Sequence, residues 1–176
     1  MSRILQSDLS DIFLRTMNKL GDDIYCSGIP DKDNSYSPLV LVHPYYRRFM
    51  WKNEGIPTFN KYNYSVEDLI RTNQGPLVIF EDQTAILQTL PIFFRLSEGK
   101  PFYVVTTCWD EPTPIHGWSA VLTFLQQLKG RPLRVAGGII SADIEAMRMR
   151  GCLANTIEQL YEANIPVEII ERATFS

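Results

Sequence analysis

Cysteine and histidine are scarce in this sequence, and their placement argues against two common ways of stabilising a small domain. The 176 residues include two histidines and three cysteines, Cys26, Cys108 and Cys152. The cysteines are odd in number, widely spaced and never arranged as Cys-x-x-Cys. A disulfide framework and a structural zinc site are therefore not expected, and a reducing cytoplasm is the expected location.

Long apolar runs and an excess of one charge are also missing. The first dozen positions carry acidic residues, and no apolar stretch of signal-peptide length follows. No window reaches the roughly 18 apolar residues of a membrane span. A net charge of −3 gives no electrostatic reason to expect nucleic acid or an anionic membrane as a partner. The expected partner is a small molecule or a protein, and assembly into a homo-oligomer is left open.

Nucleotide-binding motifs are absent as well. The pair Gly137-Gly138 does not belong to a GxGxxG pattern, and no GxxxxGK[ST] occurs in the chain. Dinucleotide and P-loop assignments therefore have no motif to support them. The residues point to no particular cofactor and to no metal site.

The sequence does contain an alternation of short apolar runs and amphipathic segments. We predict an N-terminal helix over 7–21 and interpret 45–73 as an elaborated crossover that contains a helix over 65–72. Regular βα units follow over 75–171. The predicted strands are 38–42, 76–80, 101–107, 133–140 and 166–170, and the predicted helices between them are 84–98, 118–128 and 152–164.

This alternation predicts the fold class. A connection between parallel strands needs a dozen or more residues, so strands separated by helices favour parallel pairing with right-handed crossovers. The chain has the length of one domain, and 45% of its residues are apolar. We expect a single α/β domain over 1–176, Rossmann-like and in three layers, with helices on both faces of a mainly parallel sheet of about five strands.

Candidate site residues follow the predicted strands, because ligands of open parallel sheets bind outside the carboxyl ends of the strands. Polar or conformationally permissive residues occur at or after the ends of all five predicted strands, the last of them being Glu171-Arg172. The candidates for ligand binding are His43, Arg47, Arg48, Glu81, Asp110, Gly137 and Gly138, and Asp82 is a candidate general base.

Each candidate also has a purely structural interpretation. Glu81 and Asp82 could complement the start of the next helix. His43 could be satisfied by a backbone carbonyl at the strand end, or it could act as an acid, base or ligand. Arg47 and Arg48 could hold a carboxylate or phosphate, or they could form a solvated face. A glycine pair at a strand end permits unusual backbone conformations or a close approach of other groups.

Cys152 is expected in or just before the first turn of its helix. The helix field contributes about 0.3 to 1 kcal/mol, which is less than one pKa unit and cannot by itself produce a thiolate at neutral pH. Arg148 and Arg150 could supply the remaining stabilisation if they point inward. The alternative is a buried cysteine that packs as a small apolar residue.

A resemblance to a known family arises in the C-terminal third. From Trp118 onward, a helix, LRVAGGI and GCLANTIEQLYEANIPVEIIERA resemble the end of the isochorismatase-like cysteine hydrolases. That resemblance implies a catalytic cysteine, matched by Cys152, together with an aspartate and a lysine. His43 stands where the family has its aspartate, Asp82-Gln83 only partly matches the family's Asp-x-Gln region, and Lys100 precedes its strand.

Two functions are therefore expected from the sequence. The first is binding of a small ligand or a protein partner at the carboxyl edge of the sheet. The second is cysteine-dependent hydrolysis of a small amide or ester, with Cys152 as nucleophile, Asp82 as general base and Gly137-Gly138 in an oxyanion site.

Overall fold

The structure is a computed structural model that describes residues 25–26, 36–45, 57–82, 85–98, 102–107, 114–116, 118–128, 131–139, 141–143 and 148–175. The predicted N-terminal helix over 7–21 lies outside these residues. The strands are β1 Tyr25–Cys26, β2 Leu39–Val42, β3 Leu77–Asp82, β4 Phe102–Thr107, β5 Pro114–His116, β6 Leu133–Ile139, β7 Ser141–Asp143, β8 Arg148–Arg150 and β9 Val167–Phe175. The helices are α1 Pro57–Thr72, α2 Ile86–Ser97, α3 Trp118–Gln127 and α4 Cys152–Glu162.

Five parallel strands form the main sheet, in the order β4-β3-β2-β6-β9. The short strand β1 extends the sheet beyond β4, and β5 also pairs with β4, both antiparallel. A separate antiparallel ribbon of β7 and β8 is inserted between β6 and α4. The predicted fold class is confirmed: helices cover both faces of a mainly parallel sheet.

Alternating residues of the buried strands build two apolar cores, one on each face of the sheet. Leu39, Leu77 and Phe102 point to the face covered by α1 and α2. Val40, Val78 and Val105 point to the face covered by α3 and α4. All four residues of β2 are buried, which is the pattern of a strand covered on both sides.

Several predicted boundaries differ from the structure. Helix α1 begins at Pro57, eight residues before the predicted start, and proline is favoured at the first helical position. Strand β3 continues through Asp82, so Glu81 and Asp82 are strand residues, and the N-cap of α2 is Ala85. Helix α2, predicted over 84–98, covers Ile86–Ser97 and includes Pro91. Tyr161 of α4 is 56% exposed.

Strand β9 is longer than predicted because its pairing with β6 is irregular. Val135 pairs with Ile169, whereas Gly137 pairs with Thr174, so extra residues of β9 are accommodated between these two pairs. The Thr174 hydroxyl donates to the Ile170 carbonyl across this irregular segment at 3.0 Å. Such a bulge re-aims the strand beside the carboxyl end of β6.

Candidate functional site

The order of the strands reverses between β2 and β6. The chain passes from β2 to β3 and then to β4 in one direction, and it returns to the other side of β2 to form β6 and then β9. In open α/β sheets, such a reversal leaves a crevice at the carboxyl ends of the two strands where ligands bind. The predicted candidates His43, Gly137 and Gly138 lie at these two strand ends.

Gly137 and Gly138 allow three elements to meet closely at this crevice. Their φ angles are +100° and +33°. A Cβ on Gly137 would overlap the backbone carbonyl of Val42, and a Cβ on Gly138 would lie 2.7 Å from the Cys152 Sγ. Both expectations from the sequence, an unusual backbone and a close approach, are met at these positions.

Cys152 is the first residue of α4, as predicted, and its side chain is half-buried. Gly151, with φ +120°, precedes the helix, and the Asn155 amide donates to the Gly151 carbonyl at 3.1 Å. The thiol therefore lies at the amino end of a helix, next to Gly138. Arg148 and Arg150 belong to β8, immediately before this turn, but their side chains lie outside the described part of the structure.

His43 connects β2 to β4 across the end of β3. Its backbone has φ +43°, an uncommon conformation for a residue with a side chain, and its amide donates to the Phe80 carbonyl at 2.7 Å. The Nε2 atom of His43 and the hydroxyl Oγ1 of Thr107 are hydrogen-bonded at 2.6 Å. Burial lowers the pKa of His43 to about 4, and the charge of Asp82 acts in the opposite direction. His43 is therefore neutral at pH 7, and its Nε2 partner is a threonine hydroxyl rather than a backbone carbonyl.

Glu81 is a buried carboxyl group near the end of β3. The Asp82 amide donates to its Oε1 at 3.1 Å, and its Oε2 has no hydrogen-bond partner within the described part of the chain. Burial raises the pKa of Glu81 to about 8, whereas hydrogen bonds from the Asp82 amide and the Thr89 hydroxyl lower it. The Asp82 charge raises this pKa further. Glu81 is thus mainly uncharged at pH 7, so it is neither a helix cap nor a solvated acid.

Tyr62 of α1 completes the site from the first face of the sheet. Its hydroxyl donates to the Pro44 carbonyl at 2.9 Å, just after β2. Burial raises the pKa of Tyr62 above its ordinary range, and the charges of Cys152, Glu81 and Tyr45 act in the same direction. The phenol therefore stays protonated and joins α1 to the end of β2.

The structure thus brings most of the predicted candidates to one edge of the sheet. His43 is hydrogen-bonded to Thr107, which pairs with Asp82 in the sheet. Gly138 lies against Cys152, and the charges of Cys152 and Glu81 both act on Tyr62. Arg47, Arg48 and Asp110 lie outside the described residues. Thr107 and Tyr62 were not predicted as site residues. Thr107 ends a predicted strand, so the expectation that ligands bind at the carboxyl ends of parallel strands could have selected it. Tyr62 could not have been selected in this way, because it precedes the predicted start of its helix.

Comparisons with known proteins do not assign the chain to a family. No protein-family model matches it, and neither the curated proteins nor the solved structures include a match. Within the described ranges, no group of three His, Cys, Asp or Glu residues is placed to hold a metal ion. No helix in this part of the chain is long and apolar enough to cross a membrane. The architecture is that of a three-layer α/β domain.

Proposed function

We propose that the protein binds a small ligand in the crevice between the carboxyl ends of β2 and β6. The observation that supports this proposal is a group of buried polar side chains at the ends of three neighbouring parallel strands. His43, Asp82 and Thr107 are each at most 2% exposed. Polar groups are costly to bury, and here they are concentrated beside the reversal in strand order, where α/β folds bind ligands.

A groove at the opposite edge of the sheet is the competing location. It lies between the C-terminal ends of α3 and α4, has a cavity volume of about 240 Å³ and is lined by Leu128, Arg131, Asn164 and Ile165, among others. Sites for small molecules usually enclose about 300 to 1,000 Å³. The groove also lacks the buried polar side chains found at the carboxyl edge, so the carboxyl edge is the better-supported site.

Mapping of fragment binding by NMR tests the location. A library of small carboxylates, amides and amines is added to the full chain, and backbone amide shifts are recorded. Saturable shifts at His43, Asp82 and Gly138 are expected. Shifts confined to residues of the groove, such as Leu128 and Asn164, would contradict the proposal.

Two variants sharpen this experiment. His43→Asn removes the imidazole and keeps a residue that tolerates positive φ, so we expect it to weaken fragment binding. Tyr161→Ala changes an exposed side chain of the same domain and serves as the control. Equal affinities in both variants would argue against a site that includes His43.

Cysteine-dependent hydrolysis of a small amide or ester is the second candidate function. It is favoured by the position of Cys152 at the start of α4, against Gly138 and within electrostatic reach of Tyr62. In this function Cys152 is the nucleophile and Asp82 the general base. The Gly137 and Gly138 amides stabilise the oxyanion.

A panel of p-nitrophenyl esters and small amides tests this candidate. Cys152→Ser should reduce hydrolysis on the order of a thousandfold or more, whereas Cys26→Ser should leave the rate unchanged. Full activity in Cys152→Ser, or no hydrolysis of any substrate by the wild-type chain, would reject the hydrolase function. The binding proposal would be unaffected by either result.

A further inference from the structure

Two pairs of an acid and a threonine lie at the carboxyl ends of β3 and β4. In the parallel ladder of these strands, Glu81 is paired with Thr106 and Asp82 is paired with Thr107. Neighbouring strands of a sheet are about 4.8 Å apart, and successive residues of each strand point to opposite faces. Each acid is therefore beside its threonine, and the two pairs lie on opposite faces.

The first pair lies on the face covered by α1 and α2. Glu81 and Thr106 continue the alternation of Ile79 and Val104, which belong to the apolar core on that face. Both side chains are deeply buried, with Glu81 1% and Thr106 3% exposed. A carboxyl group and a hydroxyl group are thus neighbours at the edge of an apolar core.

The two pairs differ in their hydrogen bonds. On the face covered by α3 and α4, the Thr107 hydroxyl is hydrogen-bonded to the His43 Nε2 at 2.6 Å. On the other face, the Oε2 of Glu81 and the Oγ1 of Thr106 have no hydrogen-bond partner among the described residues. Buried polar atoms of native proteins are almost always hydrogen-bonded, because an unpaired one loses its hydration without compensation. Two such atoms on neighbouring strands point to a partner that they share.

The helices on this face do not supply that partner within the described ranges. The Tyr62 hydroxyl of α1 donates to the Pro44 carbonyl at 2.9 Å. The Thr89 hydroxyl of α2 donates to the Ala85 carbonyl at 3.3 Å. The Glu81 Oε2 stays without a partner although the Thr89 hydroxyl also bonds to this carboxyl group. The pair is therefore open to a bound molecule.

A hydroxyl group has the hydrogen-bonding capacity that these two oxygens require. It both donates and accepts, whereas a carbonyl oxygen only accepts and an ammonium group only donates. A ligand hydroxyl can accept from an uncharged Glu81 and donate to Thr106, or donate to an ionised Glu81 and accept from Thr106. It matches the pair in either state of the carboxyl group, and it brings no charge into a buried place.

We propose that Glu81 and Thr106 bind a hydroxyl group of a small uncharged alcohol or polyol on the face of the sheet covered by α1 and α2. This site goes beyond the ligand site proposed between β2 and β6, because it lies at the ends of β3 and β4 and includes none of the side chains assigned to that site. Burial raises the pKa of Glu81 to about 8, so at pH 7 the carboxyl group donates from Oε2 to the ligand oxygen. The ligand hydroxyl then donates to the Thr106 oxygen.

Titration of the full chain with three small probes, followed by backbone amide shifts in NMR, tests the chemical class. Ethylene glycol carries hydroxyl groups, acetone carries only an acceptor, and methylammonium carries only donors. At pH 7, saturable shifts centred on the Glu81 and Thr106 amides are expected with ethylene glycol alone. Saturation by acetone or methylammonium at the same concentrations would overturn the class. Shifts that rise with ethylene glycol without saturating would mean that the two oxygens hold only solvent water, and would overturn the site.

Three variants show whether the Thr106 hydroxyl takes part. Thr106→Val keeps the shape of the side chain and should weaken ethylene glycol binding roughly threefold to tenfold, the loss expected for one hydrogen bond. Thr106→Ser keeps the hydroxyl and should bind like the wild-type chain. Thr72→Val makes the same chemical change at an exposed threonine of α1 and should leave binding unchanged. Equal affinities of Thr106→Val and the wild-type chain would overturn the proposal.

The stability of the unliganded chain provides an independent measurement. Thr107→Val removes a hydroxyl that is hydrogen-bonded to His43, so it should lower the urea concentration at the midpoint of unfolding. Thr106→Val makes the same change one residue earlier, where the hydroxyl has no partner in the described chain, and should leave the midpoint unchanged or raise it. An equal decrease in both variants would mean that the protein itself binds the Thr106 hydroxyl, and would overturn the proposal.

The outcomes for the two proposed sites can be told apart. Fragment shifts at His43 and Gly138, with no saturable ethylene glycol shifts at Glu81 and Thr106, would keep the ligand site between β2 and β6 and overturn this one. Saturable ethylene glycol shifts that weaken in Thr106→Val would support the hydroxyl site even if no library fragment binds between β2 and β6.

Discussion

Gly137 and Gly138 determine how closely β6 approaches β2 and α4. Gly138→Ala introduces a Cβ 2.7 Å from the Cys152 Sγ at a backbone φ of +33°, so we expect a loss of about 2 to 4 kcal/mol in the free energy of unfolding. Gly137→Ala should lose more, because the Val42 carbonyl that it meets belongs to the backbone and cannot rotate away. Urea unfolding of both variants measures the difference.

A double variant separates two causes of this destabilisation, the overlap of the new Cβ with the Cys152 Sγ and the strain of a positive φ at an alanine. Cys152→Ala removes the sulfur that the new Cβ meets, so it should recover part of the stability in a Gly138→Ala background. It should recover nothing in a Gly137→Ala background, because the overlap there is with Val42. Equal recovery in both backgrounds would contradict the contact between Gly138 and Cys152.

The hydrogen bond between His43 and Thr107 is the second feature at the residue scale. Thr107→Val keeps the shape of the side chain but removes the hydroxyl from the buried Nε2, so a loss of about 1 to 3 kcal/mol is expected. Thr107→Ser keeps the hydroxyl and should lose clearly less. Chemical denaturation compares the two variants, and equal losses would mean that the hydrogen bond does not stabilise the fold.

At the scale of elements, Tyr62 joins α1 to the end of β2. Tyr62→Phe removes the hydrogen bond to the Pro44 carbonyl and should destabilise the fold by about 1 kcal/mol. Tyr64→Phe makes the same chemical change two residues away in the same helix. Its side chain is 74% exposed, so no loss is expected from it. A thermal unfolding series on both variants is the measurement, and similar stabilities would contradict the role of the Tyr62 hydroxyl.

The elements that the sequence predicted well are those with a strong local pattern. Strand β2 and helix α4 were found within two residues at each end, because a buried apolar run and a helical periodicity depend only on neighbours in the chain. The start of α1 was missed because its first two turns mix aromatic and polar residues. The far end of β9 was missed because Glu171 and Arg172 interrupt the apolar run where the bulge occurs.

At the scale of the whole molecule, Glu81 should make stability fall as the pH rises. Its pKa in the folded chain, about 8, lies above the value of 4.5 for an unperturbed glutamate, so the folded state binds the proton more tightly than the unfolded state. The contribution is fully present below pH 4.5 and is lost as the pH rises to 8. Between pH 4.5 and 8, the free energy of unfolding of the wild-type chain should decrease by on the order of 3 to 5 kcal/mol more than that of Glu81→Gln. A constant difference between the two proteins would contradict the burial of Glu81.

His43 should have the opposite effect in acid. Its pKa in the folded chain, about 4, lies below the unperturbed value of 6.5, so the unfolded state binds the proton first. Stability from this residue is present above pH 6.5 and is lost as the pH falls to 4. Relative to His43→Asn, the wild-type chain should lose about 3 kcal/mol between pH 7 and 4. Denaturant titrations at pH 4, 5.5 and 7 measure this, and parallel curves would contradict it.

The sequence by itself determined the composition of the layers and the kind of residue at each strand end. Apolar runs separated by amphipathic helices predicted a parallel sheet covered on both faces. The preference of ligands for the carboxyl ends of parallel strands selected His43, Glu81, Asp82 and Gly138 as candidates. These features depend on the periodicity of apolar residues over short stretches of the chain, so they can be recognised from the sequence alone.

Only the tertiary structure decided which of these residues meet. The position of β6 beside β2 depends on how whole faces of the sheet pack, and no local pattern specifies it. That order places Gly137 against the Val42 carbonyl, whereas the packing of α4 at the end of β6 places Gly138 against Cys152. His43 reaches Thr107, 64 residues further along the chain, because β2 and β4 lie on either side of β3. The alternation along β3 then directs Glu81 to the face covered by α1 and α2 and Asp82 to the face covered by α3 and α4, so the two adjacent carboxyl groups lie on opposite faces of the sheet.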